Sequence, residues 1–336
     1  MSASAPTDPA AASGVAPAPA PVADAAARHV CAEILRLLLP HRRTVEALSP
    51  RLDTPDAFPW QLSQLAAFVR EGDPILFTLP GFPCKSPNPE KVLGHLPDEG
   101  ERLSLRFLEQ LSAQVEKVYA PGARILICSD GHVFADLIQV PDEHIDAYGD
   151  ALREMIAEEG LDHIDTFDLR DVYGDGLPYD EKRRLVSEQH APTLDELRAE
   201  VRSDEATLGM YRGITRFLVA DTAGFTGSRS ALQRECRRRA YGVIQRSRAW
   251  GELIAAHHPR SVRLSIHPQP RGAAKFGIRL LDADDAWTTP WHSVVLRRPD
   301  GGLVLLPRAE AETRGHLIHH NGRPSHYQAP DTGAPA

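Results

Sequence analysis

Arg124-Ile125-Leu126-Ile127-Cys128, followed by Ser129-Asp130-Gly131, is the stretch whose reading decides the fold. Five residues of nearly unbroken apolar character suit a central parallel strand covered on both faces, and the Ser-Asp-Gly triplet stops the run. Downstream, Asp142 offers an N-cap for a helix carrying Ile145, Tyr148, Leu152 and Ile156 on one side and ending at Gly160. Residues 164–169 read as a further strand. Strand, helix, strand in this order predicts an α/β fold: a Rossmann-like, mostly parallel sheet flanked by helices.

Working outward, Val30, Ile34, Leu37 and Leu38 recur at helical spacing until Pro40, and Leu62, Leu65, Ala66 and Val69 do so until Gly72. Residues 75–79 form a short apolar strand running into Pro80-Gly81. Residues 104–119 are amphipathic, with Leu105, Leu108, Leu111 and Val115 on one face. The middle of the chain, 180–257, reads as helical and heavily charged. Beyond it the period changes back to that of strands at 262–266, 276–281 and 294–298. Asp300-Gly301-Gly302 looks like a hairpin turn returning through 303–306, so additional C-terminal β structure is expected.

With 336 residues, 42% hydrophobic and 25% charged, the chain has the composition of a globular protein with a substantial core. A net charge of −8 argues against nucleic acid as a partner. Cys31, Cys84, Cys128 and Cys236 are far apart and form no Cys-x-x-Cys pair, which reads as reduced thiols. The first 27 residues are rich in Ala and Pro, without the basic and apolar regions of a signal peptide. No apolar run approaches the ~18 residues of a membrane span. The expectation is a soluble, cytoplasmic protein with no membrane association. Its organisation would be a disordered tail over 1–27, one catalytic unit over 28–310 and a loose tail over 311–336.

Four segments carry chemistry. In Pro80-Gly81-Phe82-Pro83-Cys84-Lys85-Ser86-Pro87-Asn88-Pro89, four prolines stiffen a loop that follows a strand. Lys85 there can bind an anion, or transfer protons if burial lowers its pKa; a stiff surface loop with a solvated lysine is the plainer reading. Ser129-Asp130-Gly131-His132 lies where the central strand ends, the place where open α/β sheets gather ligands. Asp130 can act as a base or receive a substrate ammonium, although Asp-Gly is equally a turn signal.

The third segment runs over 228–250 and is rich in arginine. Arg234, Arg237 and Arg238 share a helical face, which can clamp a sugar phosphate or simply face solvent. In the fourth, strand alternation puts Arg263, Ser265 and His267 on one face, with Lys275 and His292 following in Lys275-Phe276-Gly277-Ile278 and Thr289-Pro290-Trp291-His292. Aligned polar groups on a core strand need partners, which a substrate can supply. No His-Glu-x-x-His, Gly-x-Gly-x-x-Gly or Walker-type loop is found, so neither metal nor dinucleotide nor ATP is indicated.

In this order the segments resemble the isocyanide synthase family, also called the pyoverdine/dityrosine biosynthesis family. The resemblance runs through FTLPGFPCKSPNPEK (77–91), LPDEGE (96–101), YAPGARILICSDGHVFAD (119–136), VRLSIHP (262–268), KFGI (275–278) and TPWHSV (289–294). It implies an enzyme that joins the α-amino group of an amino acid, usually tyrosine or tryptophan, to ribulose 5-phosphate and leaves one sugar carbon as an isonitrile. It also implies neither metal nor redox cofactor, and an iron/2-oxoglutarate oxygenase as a functional partner. Some relatives make an N-formyl amino acid, and a sugar-phosphate lyase using the same phosphate clamp is the competing reading. Under the resemblance Lys85, Asp130, His267, Lys275 and His292 are assigned to proton transfer. Ser86, Ser129, Arg237, Arg263 and Ser265 are assigned to substrate or phosphate contacts. Phe82, Phe134, Tyr211 and Trp291 are the expected aromatic walls.

Overall fold

The computed structural model describes residues 24–44, 46, 51–283 and 288–331. Five strands make the main sheet: β1 (Ile75–Pro80), β2 (Ala123–Cys128), β3 (Ile164–Phe167), β4 (Val262–Ser265) and β5 (Phe276–Gly277). Their spatial order is β3-β2-β1-β4-β5 and every pairing is parallel. β2 is the apolar run on which the fold expectation rests, and it is covered on both faces. Ile125 and Ile127 face one core with Leu35, Leu65 and Leu108, while Leu126 and Cys128 face another with Ala249, Trp250 and Leu253.

The first face is built by α1 (Ala25–Leu38), α2 (Pro59–Glu71) and α3 (Glu99–Val118). Asp24 caps α1 through Ala26 and Ala27, so the helix starts inside the stretch assigned to a tail over 1–27; residues 1–23 lie outside the described part. The segment after β2 folds into α4 (Gly131–Ile138) and α5 (Asp142–Glu159), with Asp142 in the first turn and Pro141 in the cap position. Next come α6 (Leu169–Tyr173), α7 (Tyr179–His190), α8 (Leu194–Ser203), α9 (Glu205–Asp221) and the long α10 (Arg229–His257). These break the expected helical middle into separate rods, and α8, α9 and α10 bury a third core around Ile214 and Ile244.

A second sheet has the order β7-β6-β9-β8. The expected hairpin is β6 (Val294–Arg297) against β7 (Leu303–Leu306). After the short α11 (Arg308–Ala311), β8 (His316–His320) and β9 (Arg323–Gln328) complete it. The expectation of a loose tail over 311–336 is therefore corrected as far as residue 331. Asn321 and Gly322 both take positive φ, 50° and 75°, as an Asn-Gly hairpin turn requires, and β9 then pairs in parallel with β6.

β1 is the strand on whose two sides the order of the main sheet reverses, since β2 follows it in sequence on one side and β4 lies on the other. Such a reversal opens a crevice beyond the carboxyl ends of the strands. The loops leaving β1, β2 and β4 there carry Gly81 to Lys91, Ser129-Asp130 and Ile266-His267.

Candidate active site at the carboxyl edge of the parallel sheet

The loop after β1 is pinned from both sides. Gly131, first residue of α4, sits so close that a Cβ would stand 2.1 Å from the Pro83 carbonyl oxygen. Only glycine lets the β1 loop and the start of α4 touch. Phe82 takes a left-handed φ of 52° and is buried with its ring 5.1 Å from that of Trp291. Ser129 donates its hydroxyl to the Phe82 carbonyl at 3.0 Å. The turn is thus over-determined, a condition under which strained backbone persists at functional sites.

Asp130 follows as the residue before α4, and its carboxylate makes no capping bond to that helix. Burial raises the carboxyl to about 7, so it changes charge near neutrality. Its neighbourhood reaches Cys84, whose thiol is pushed up by burial and further by the charges of Asp130 and Asp221.

Lys85 behaves differently from expectation. Its ammonium is fully enclosed and donates to Asp98 Oδ2 at 2.8 Å and the Pro290 carbonyl at 3.1 Å, with Glu101 Oε2 at 2.7 Å. Burial opposes the charge, but the two carboxylates outweigh it and raise the pKa. A lysine with all three protons engaged and a raised pKa stays cationic, so the proposed proton transfer by a lysine of lowered pKa is corrected. It ties the β1 loop to the start of α3 and to the segment holding Trp291. Asp98 and Glu101 form the capping box of α3, visible in sequence as Asp-x-x-Glu within LPDEGE.

On the other side of the loop, Ser86 donates to Asp221 Oδ1 at 2.6 Å and Lys91 reaches the same oxygen at 2.8 Å. These partners keep Asp221 well ionised against its burial. His292 places Nδ1 3.8 Å from Asp221 Oδ1, and that nitrogen is buried without a hydrogen-bond partner. Burial lowers the imidazole to about 4, so it is neutral at physiological pH. A neutral imidazole backed by a carboxylate is a proton acceptor in waiting. Asp221 gave no sequence signal, because it closes a charged helix far from every motif.

Of the remaining assignments, Ser265 ends β4 and receives the backbone N–H of His267 at 3.1 Å and the amide of Gln269 at 3.3 Å. The strand stops at Ser265, so the alternation that would align His267 with Arg263 does not extend to it. Arg263 is half-buried, its guanidinium beside Gly251 of α10, and Lys275 immediately precedes β5. Arg237 is exposed on α10, outside the group at the strand ends. Of the expected arginine face, Arg238 pairs with Glu235, while farther along α10 Arg246 pairs with Asp136 and Arg248 with Glu200. Phe82 and Trp291 pack together in the core, and the Tyr211 ring lies 4.5 Å from that of Tyr241.

His132 completes the picture on the β2 side. Its Nδ1 meets Asp142 at 2.8 Å, its Nε2 meets Asp146 at 3.1 Å, and its ring stacks on Tyr179 at 3.6 Å. Arg183 places its guanidinium on Asp142 at 2.9 Å. This network locks α4, and hence Asp130, against α5 and α7. Among the described residues no group of three or more His, Cys, Asp or Glu is arranged to hold a metal ion.

Residues 65–318 match the family described as pyoverdine/dityrosine biosynthesis protein. The chain belongs to that family, the isocyanide synthases. An L-tyrosine isonitrile synthase of Pseudomonas aeruginosa is 49% identical over 280 residues, covering 82% of this chain and 85% of that protein. An L-tryptophan isonitrile synthase of Fischerella ambigua is 41% identical over 301 residues, 88% of this chain and 90% of the other. The crystal structure of the PvcA protein from Pseudomonas aeruginosa superposes with a TM-score of 0.83 at 46% identity, covering 90% of this chain and all of that one. In this isocyanide synthase family member the matched span runs from before the β1 loop into the first half of β8.

Proposed function

We propose that this protein is an isonitrile synthase that converts the α-amino group of an aromatic amino acid, tyrosine before tryptophan, using ribulose 5-phosphate as carbon donor. The preference for tyrosine follows the relatives: two L-tyrosine isonitrile synthases are 49% and 46% identical, two L-tryptophan enzymes 41% and 38%. What carries the chemistry is the place of the Asp130 carboxyl, between the end of β2 and the start of α4 with no capping bond, where burial raises its pKa to about 7.

The first step needs such a group. An amino acid arrives as an ammonium and must lose a proton before its nitrogen can attack the C2 ketone of the sugar. The carbinolamine then loses water to give a protonated imine (an iminium), which requires a proton delivered to the departing hydroxyl. A carboxyl poised near neutrality accepts the first proton and returns it in the second event, with no net change in its own charge. His292, neutral and supported by Asp221, serves as a further base for the later carbon–carbon cleavage. Ser129, Ser265, His267, Arg263 and Lys275 occupy or adjoin the same strand ends and are assigned to holding the sugar phosphate. We assign the protein to the cytoplasm and its product to an iron/2-oxoglutarate oxygenase.

The test is direct. Purified protein is incubated with ribulose 5-phosphate and tyrosine or tryptophan, and products are followed by mass spectrometry. Isonitrile carrying the sugar's C2 label is expected, with tyrosine turned over faster. Sugar phosphate consumed without its carbon entering the amino acid would instead identify a lyase and sink the proposal.

A further inference from the structure

Two cavities of equal volume open on the surface, and their linings differ in kind. One is ringed by Asp98, Glu99, Glu154 and Glu158 together with Arg102 and Arg323, so its wall is polar and of mixed charge. The other, about 250 Å³, lies against the outer side of the Cys84-Lys85-Ser86 segment and is mostly apolar, with Val92, Leu93 and Val140 in its wall. Arg308 is the arginine of its lining. The backbone of Arg308 is fixed by a hydrogen bond from its N–H to the Lys91 carbonyl at 3.1 Å. Its Nε is buried without a hydrogen-bond partner, and among the described residues no acidic side chain pairs with it.

A guanidinium whose Nε has no partner, set beside apolar surface, suits a ligand that is anionic at one end and apolar elsewhere. A sugar phosphate satisfies only half of this, because its hydroxyls would lose water against the apolar wall. An aromatic amino acid satisfies both demands. We infer that this cavity is the amino-acid subsite, with Arg308 receiving the substrate carboxylate and the apolar wall receiving its side chain. The carboxylate survives the reaction, so a fixed guanidinium can hold substrate and product alike while the nitrogen is transformed. The cavity also touches Ser86, the residue that connects it to Asp221 and His292. The identity of the ligand rests on the isonitrile-synthase reading; the need for an apolar anion does not.

Gly94 supplies a variant that blocks the cavity without disturbing the fold. It lines the space, and a Cβ built on it meets nothing within 4 Å. The experiment is calorimetric titration of the full-length protein with L-tyrosine and with tyramine, which lacks the carboxylate, in the absence of sugar. Alongside it, KM is measured for each substrate. Arg308→Ala should weaken tyrosine binding about ten- to a hundredfold, the loss of a charged hydrogen-bonding pair, and leave tyramine binding unchanged. Gly94→Leu should weaken both ligands. KM for ribulose 5-phosphate should stay constant in both variants.

Wild-type affinity for tyrosine in folded Arg308→Ala overturns the subsite, as does an absence of tyrosine binding to the wild type. A KM effect confined to the sugar phosphate overturns it too. Tyrosine binding through Arg308 without isonitrile formation would overturn the proposed reaction and leave the subsite standing. Isonitrile formation with unaltered tyrosine KM in both variants would do the reverse.

Discussion

Lys85 and Asp130 lie on adjacent turns of the same site and have opposite electrostatic fates. Lys85 is surrounded by two carboxylates and a carbonyl, so its charge is fixed. At Asp130 burial outweighs a backbone hydrogen bond that favours the charged form, and brings the carboxyl to about 7. If Asp130 accepts the first proton, it must be ionised to act, and the ionised fraction grows as pH rises through that value. The rate with tyrosine should therefore climb between about pH 6 and 8. In Asp130→Asn the limb near 7 should vanish and turnover should fall about 10²- to 10⁴-fold, the usual worth of a general base. A pH–rate profile of both proteins checks this, and an unchanged limb in the variant would remove Asp130 from the role. The sequence shows where these residues lie because a strand end and a proline-stiffened loop are local patterns. Their charge states were not legible, since Lys85 meets Glu101 and Pro290 only after folding.

At the scale of elements, the site depends on how closely the β1 loop approaches α4. Gly131 controls that distance, with the Pro83 carbonyl where its side chain would be. Gly131→Ala should cost about 1–3 kcal/mol or more as the backbone moves to relieve the overlap. Chemical denaturation measures the cost. Turnover of the folded variant should drop further than stability explains, because Asp130 moves with the helix it precedes. Stability and rate both close to wild type would show that the two elements tolerate separation. The parallel strands and the helices α1, α2, α3 and α5 follow from periodicity and stop signals, which are written within a few residues, whereas α4 is not read from the sequence. The division of 180–257 into four rods is less visible, since polar helices with short connections differ little from one long one. β5 shrinks to two residues because its pairing with β4 is short.

For the molecule as a whole, the second sheet closes only when β9 joins β6. Tyr327 is 3% exposed, and the hairpin that carries it borders the cavity lined by Asp98, Arg102 and Arg323. Removing residues 312–336 should thus uncover Val294 and Leu296 and lower the thermal midpoint by about 5 °C or more. A scan of full-length and shortened protein decides it; equal midpoints would restore the view of a dispensable tail. That hairpin was hidden in the sequence because its strands are polar and half-exposed. Its one strong signal, Asn321-Gly322, is two residues long.

The parallel order of the main sheet also sets a timetable. Phe77 of β1 lies opposite Val262 of β4, and 262 − 77 = 185 residues separate them. A ribosome adding roughly 5–20 residues per second delivers β4 some 10–40 seconds after β1 has emerged. Throughout that interval the strand that will lie at the middle of the sheet has an unpaired side, and its sequence, Ile-Leu-Phe-Thr-Leu, is of the kind that recruits other chains. The yield of this protein in a foreign host is therefore governed by what shelters β1 during synthesis, and slower translation of 81–261 should enlarge the aggregated share.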